Sequence, residues 1–117
     1  MEIHINTGNG MDNREDLERW ADGEIRQSLA RFAEDVRRVE VHLSDVNGTK
    51  GGATDKRCLI EAHIPQHAPV AVSHQAPSLD QAFRGAETKA LSALDSVLGK
   101  EKRHRDRTSI RTDPEAV

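Results

Sequence analysis

Lys56 and Arg57 stand side by side in the middle of the chain, and Lys89 follows some thirty residues later. Six more Lys and Arg crowd residues 100–117: Lys100, Lys102, Arg103, Arg105, Arg107 and Arg111. Clustered cations neutralise phosphates and release condensed counterions, so what they bind is held less tightly as salt rises. The bland reading is a solvated surface, which is the usual fate of scattered basic residues on helices. The other groups with chemical potential point away from catalysis. A zinc site needs three or four converging ligands with outer-shell support. His4, His42 and His63 have no cysteine beside them and no short His-x-x-His spacing, so no metal is expected. Cys58 is in phase with Ile60 on an alternating segment, which makes it a small core residue rather than a nucleophile. Gly51-Gly52 lacks the GxxxxGK[ST] context of a phosphate cradle. No Ser-His-acid or paired-carboxylate arrangement is present in the pattern, so neither enzymatic activity nor a cofactor is expected.

These residues sit in a chain of 117, one domain's worth. Its formal net charge is −3, unevenly spread. Residues 100–117 hold six bases against four acids, which leaves residues 1–99 at −5. Composition therefore argues against a general nucleic-acid binder and against DNA; any RNA contact has to come from local basic clusters. The single cysteine forms no internal disulfide, which fits a reducing compartment. Met1 to Asn6 has neither the basic nor the apolar region of a secretory signal, and no apolar run approaches the length of a membrane span. A cytoplasmic location is expected.

Hydropathy patterning supplies the elements that must position the cations. Ile3 and Ile5 alternate with Glu2, His4 and Asn6, as in a half-buried strand. Asp12 and Glu15 have the spacing of a capping pair. Leu17, Trp20, Ala21, Ile25, Leu29, Phe32 and Ala33 then recur at helical spacing, predicting a helix from about 13 to 34. Val39, Val41 and Leu43 alternate, as do Cys58, Ile60, Ala62 and Ile64, with a glycine-rich loop between them. Val70 to Gln75 reads as a short fourth strand. Ser78 and Gln81 match a capping box for a second helix, whose stripe is Leu79, Ala82, Phe83, Ala86, Ala90, Ala93, Leu94 and Val97. Gly99 is the expected cap, and residues 100–117 are expected to be a disordered basic tail. Gly85, inside the second helix, is about 1 kcal/mol worse than Ala there. It implies a close approach, either of a packed neighbour or of RNA.

The order β-α-β-β-β-α predicts an α+β domain over residues 1–99, a four-stranded sheet with both helices on one face. The other face is left wet, carrying His4, His42, His63 and Glu40.

The segments Val39-Glu-Val-His-Leu-Ser-Asp45, Lys50-Gly-Gly52, Asp55-Lys-Arg-Cys58, Glu61-Ala62 and Pro69-Val-Ala-Val-Ser-His-Gln-Ala76 follow one another in this chain. In order and spacing they resemble the ribosome hibernation-promoting and ribosome-associated inhibitor family, whose members are also labelled sigma-factor modulation proteins. The resemblance covers residues 1 to about 99 in element order and 39–76 in residue detail. It implies a fold similar to a double-stranded RNA-binding domain and a partner in the small ribosomal subunit. There the domain would occupy the mRNA and tRNA channel, block translation and protect idle ribosomes in stress or stationary phase. It implies rRNA contacts at Lys56, Arg57 and Lys89, and a basic run matching only in kind at Lys100, Lys102 and Arg103. The tail is too short for the dimerisation domain of long members. Short members differ in outcome: some work with a second factor that pairs ribosomes, others leave them single. Glu87 and Asp95 on the second helix would weaken a basic stripe there. The competing expectation is a protein–protein adaptor on the same scaffold that does not touch rRNA.

Overall fold

The computed structural model describes residues 1–8, 14–45 and 56–111, with side chains described as far as residue 99. The elements run β1 (Glu2–Thr7), α1 (Arg14–Ser28), a 3-10 turn (Ala30–Phe32), β2 (Arg38–Asp45), β3 (Lys56–His63), β4 (Val70–Ala76) and α2 (Leu79–Arg111). The four strands form one sheet in the order β1-β2-β3-β4. β1 and β2 pair in parallel, with Ile3 beside Val39 and Ile5 beside Val41. A parallel pair needs a crossover, and α1 provides it. The other two pairings are antiparallel, with Leu43 opposite Cys58, and Ile60 opposite Val72.

One face of the sheet is buried. Val39, Val41, Leu43, Cys58, Ile60, Ala62 and Ala76 lie beneath Ala21, Ile25 and Leu29 of α1 and Ala82, Phe83, Ala86, Ala90, Leu94 and Leu98 of α2. The helices meet through Trp20 and Phe83, whose ring centroids are 4.8 Å apart and tilted by 53°. That is within the favoured range for inclined aromatic pairs. Arg14 ties the start of α1 to β1, its Nε donating to the Thr7 hydroxyl at 2.9 Å and Nη2 to the Thr7 carbonyl at 3.2 Å.

The first helix is shorter than its periodicity predicts. It stops at Ser28 and tightens into the 3-10 turn, which carries Phe32 and the following Val36 into the core while leaving Ala33 exposed. The expected capping pair at Asp12 lies outside the described residues. The second helix starts as predicted: the Gln81 backbone N–H donates to Ser78 Oγ at 3.2 Å. It does not stop at Gly99. The backbone is helical to Arg111, past the expected cap. A glycine inside a helix is only about 1 kcal/mol worse than Ala, and the Lys, Glu and Arg residues after it are good helix formers. Residues 112–117 lie outside the described region. The β3–β4 connection turns on Pro65 and Gln66. Gln66 has a φ of 67°, and the His67 N–H returns to the Ile64 carbonyl at 3.1 Å. This is the form of a type II turn, with proline at its usual second position and a glutamine where glycine is favoured.

Gly85 has a packed neighbour. A Cβ built there would lie 2.1 Å from His74 Cδ2 and 2.4 Å from its Cγ, so the β4 imidazole fills the place of a side chain on α2. Cγ is the root of the ring, so the ring cannot simply swing its far end aside. Gly85→Ala is therefore expected to destabilise the domain by roughly 1–3 kcal/mol, despite alanine's better helix propensity. Urea unfolding measures it, and His74→Ala in the same chain should recover most of the loss. Full stability in the single variant would show that α2 does not sit this close.

Cys58 is fully buried. Burial first, and the nearby Glu87 carboxylate second, push its thiol from 9.0 up to about 12. The folded state thus holds a proton that the unfolded chain releases above about pH 9, so stability present below that pH is lost as pH rises toward 12. Between about pH 8 and pH 10.5 the wild type should lose on the order of 2 kcal/mol more than Cys58→Ala does, read as the shift in urea midpoints.

Candidate nucleic-acid interface

The open face of the sheet carries the polar half of each strand. Glu40 of β2 stands opposite Glu61 of β3. Two carboxylates so placed repel, and the Arg38 guanidinium beside Glu40 offsets this. His63 Nε2 lies 3.0 Å from Glu40 Oε2, Arg38 Nη2 3.2 Å from the same oxygen, and His42 Nε2 3.6 Å from Glu61 Oε1. His4 lies 3.8 Å from Glu2. His4, His42, His63 and Glu40 thus share the wet face, as the strand phase predicts. They pair off with carboxylates rather than converging: among the described residues no group of three or more His, Cys, Asp or Glu could hold a metal ion.

The predicted cations separate into three groups. Lys56 is in phase with Cys58, on the helix side of the sheet. Its Nζ lies 2.9 Å from Asp45 Oδ2 across the β2–β3 pair, both side chains about three-quarters buried at 28% and 25% exposed. Much of its charge is answered there. Arg57 is one residue out of phase and so on the open face, opposite Gln75 of β4. Among the described residues it has no carboxylate partner. Lys89 comes from α2 and reaches round the free edge of β4, where its Nζ donates to the Ser73 carbonyl at 2.9 Å. This covers an edge-strand acceptor that would otherwise be open to another chain.

Arg57 and Lys89, 32 residues apart in sequence, line one shallow depression of about 400 Å³ together with Ser73, His74 and Gln75. No carboxylate lines it. Its lining offers a guanidinium, an ammonium, a hydroxyl and an amide, all groups that can donate hydrogen bonds. The lysine spends one of three N–H donors on Ser73, and the arginine fork has five. That set suits an oxyanion approaching the edge of β4. Ser73, His74 and Gln75 were not among the residues expected at the site. The sequence signals that they alternate on a strand; the register that sets Gln75 opposite Arg57 is not written in that alternation.

The acids on α2 do not enter the depression. The Ser28 hydroxyl donates to the Glu87 carboxylate, and Arg31 Nη2 lies 2.7 Å from Asp95 Oδ2, so the two acids face the end of α1 and the 3-10 turn after it. The Arg31–Asp95 pair is more than half exposed and contributes little to stability. It shows which side of α2 the negative charge occupies. Lys100, Lys102 and Arg103 continue α2, but their side chains lie outside the described ones. No described helix is long and apolar enough to cross a membrane.

The fold has close counterparts among solved structures. The crystal structure of the Thermus thermophilus Protein Y N-terminal domain superposes with a TM-score of 0.65 at 18% identity, covering 83% of this chain and 99% of that one. A ribosomal subunit interface protein from Coxiella burnetii gives a TM-score of 0.60 at 16% identity, covering 88% of this chain and 99% of that one. At such identities the likeness is one of fold. No curated protein sequence matches this chain. The family described as sigma 54 modulation protein / S30EA ribosomal protein matches residues 4–105, nearly the whole domain and the start of the helical extension. The chain belongs to that family, the ribosome hibernation-promoting factors that its central stretch resembles.

Proposed function

We propose that this protein is a non-enzymatic inhibitor of translation that binds rRNA of the small ribosomal subunit in the mRNA and tRNA channel, within the cytoplasm, and protects idle ribosomes during stress or stationary phase. The observation that carries this reading is the depression at the β4 edge. On a domain whose residues 1–99 total −5, it gathers Arg57 and Lys89 with no acid among its lining residues. A folded RNA presents shape and backbone phosphates rather than a base code, and a small cationic depression flanked by hydrogen-bond donors answers to that surface. Family membership supports the ribosome as the partner, and Lys100, Lys102 and Arg103 extend the same charge along α2.

Sedimentation of lysate through a sucrose gradient tests the partner. The protein should travel with small subunits or whole ribosomes in stationary cells. If it stays at the top of the gradient in growing and stationary cells alike, the reading fails. Arg57→Glu and Lys89→Glu are both exposed changes, expected to alter the unfolding midpoint little. Each should weaken binding to purified small subunits by roughly tenfold or more. Each should also make binding less salt-dependent, by about one unit of slope for every phosphate that is no longer neutralised. Binding that survives high salt and ignores both substitutions would instead favour the protein–protein adaptor.

A further inference from the structure

We propose that the domain has a second anion site, at the end of the sheet away from the β4-edge depression, and that it holds a small molecule carrying a terminal phosphate between Arg37 and Arg38. The site goes beyond the ribosome reading and does not depend on it. Arg37 and Arg38 stand where the chain enters β2, and both line a depression of about 360 Å³ with His63, Ile64, Pro65 and Gln66. Glu2 completes the lining. The volume is at the small end of the roughly 300–1,000 Å³ that small-molecule sites span. Arg57 and His63 lie near opposite ends of β3, so roughly 20 Å of strand separates this depression from the one that Arg57 lines.

Three features of the lining call for a ligand. Arg37 is exposed and forms no ion pair among the described residues. Arg38 is only partly satisfied. Its Nη2 lies 3.2 Å from Glu40 Oε2, an oxygen that His63 Nε2 also meets at 3.0 Å, while its Nε is buried with no hydrogen-bond partner. Nε and Nη2 form one edge of the guanidinium, the kind of edge that an oxyanion takes with two oxygens. A buried donor left unpaired is unfavourable and uncommon. The Arg38 side chain is nearly half exposed, so its head group has room to turn that edge toward an incoming phosphate. Gln66 is the third feature. Its φ of 67° is a left-handed conformation that residues other than glycine seldom adopt, and such residues concentrate at ligand sites. Its amide adds a neutral donor to the lining. Charge then selects the ligand. A phosphate monoester carries about −1.5 to −2 at pH 7, which matches two guanidiniums better than the single charge of an RNA diester does. Glu2 opposes any anion, but it is exposed and lies 3.8 Å from His4. Ile64 and Pro65 offer an apolar edge to the rest of the molecule.

Nuclear magnetic resonance titration of the whole chain tests the site. The probes are a nucleoside 5′-monophosphate, inorganic phosphate, and a dinucleoside monophosphate that has a diester but no terminal phosphate. The nucleoside 5′-monophosphate should shift the backbone amide signals of Arg38, Ile64 and Gln66 and leave those of Ser73, His74 and Gln75 in place. Inorganic phosphate should shift the same signals with lower affinity. Arg37→Gln should weaken binding by roughly tenfold, and Glu2→Gln should tighten it by removing the one repelling charge in the lining. Both are changes at exposed residues, expected to alter the unfolding midpoint little, so the outcome does not turn on folding. Shifts confined to the β4 edge, no shift at all, or an affinity that ignores Arg37→Gln overturns the site. Equal affinity for the dinucleoside monophosphate overturns the terminal phosphate and gives the site to RNA backbone instead. None of these outcomes alters sedimentation with ribosomes, so the ribosome reading stands or falls separately.

Discussion

His74 of β4 occupies the space that any side chain at position 85 of α2 would need, and this exclusion sets the distance between helix and sheet. With α2 held that close, Phe83 and Ala86 reach the core, Trp20 of α1 meets Phe83, and Lys89 one turn on is near enough to reach the Ser73 carbonyl. The same ring stands opposite Cys58 and forms one wall of the basic depression. A single glycine thus couples core packing to the position of a surface cation. Protein interiors are packed densely enough that such a constraint propagates rather than being absorbed.

Around α2 the charges follow from that seating. Its apolar line faces the sheet and one flank faces α1 and the 3-10 turn, where Glu87 and Asp95 find a hydroxyl and a guanidinium. The other flank overlooks the edge of β4 and carries Lys89. Read as a total, the domain is acidic and looks poorly suited to RNA. Several of its acids instead have partners of their own: Glu87 and Asp95 across the helix pair, Glu40 and Glu61 beside histidines of the open sheet face, and Asp45 at Lys56. What remains for a polyanion is local, and electrostatic interactions at the surface are local too, because salt screens them beyond about 8–10 Å.

The open sheet face has a different character. Its histidines lie beside carboxylates, His63 and His42 across the β2–β3 pair and His4 within β1. The cationic surface is at the edge, where Arg57 leaves the open face and Lys89 arrives from behind the sheet. The proposed interface therefore straddles β4 instead of covering either face.

Strand alternation, the capping residues at Ser78 and Gln81, and the two helical stripes were enough to determine the element order and the buried face. Both depend on periodicities of 2 and 3.6 residues that a linear chain displays directly. The family was also legible, since the motifs of residues 39–76 occur in order. The ends of the helices were less so. Phe32 kept the helical phase across a switch to a 3-10 turn, and Gly99 looked like a stop but was carried through by strong helix formers on its C-terminal side. Lys56 and Arg57 are indistinguishable as neighbouring cations in the sequence. Only strand pairing placed one against Asp45 and the other beside Gln75, on opposite faces of the sheet. Likewise Gly85 announced a close approach without naming the partner, and Lys89 announced a charge without a place. Those facts belong to contacts between residues far apart in the chain, which local periodicity does not encode and which the packing of α2 on β4 decided.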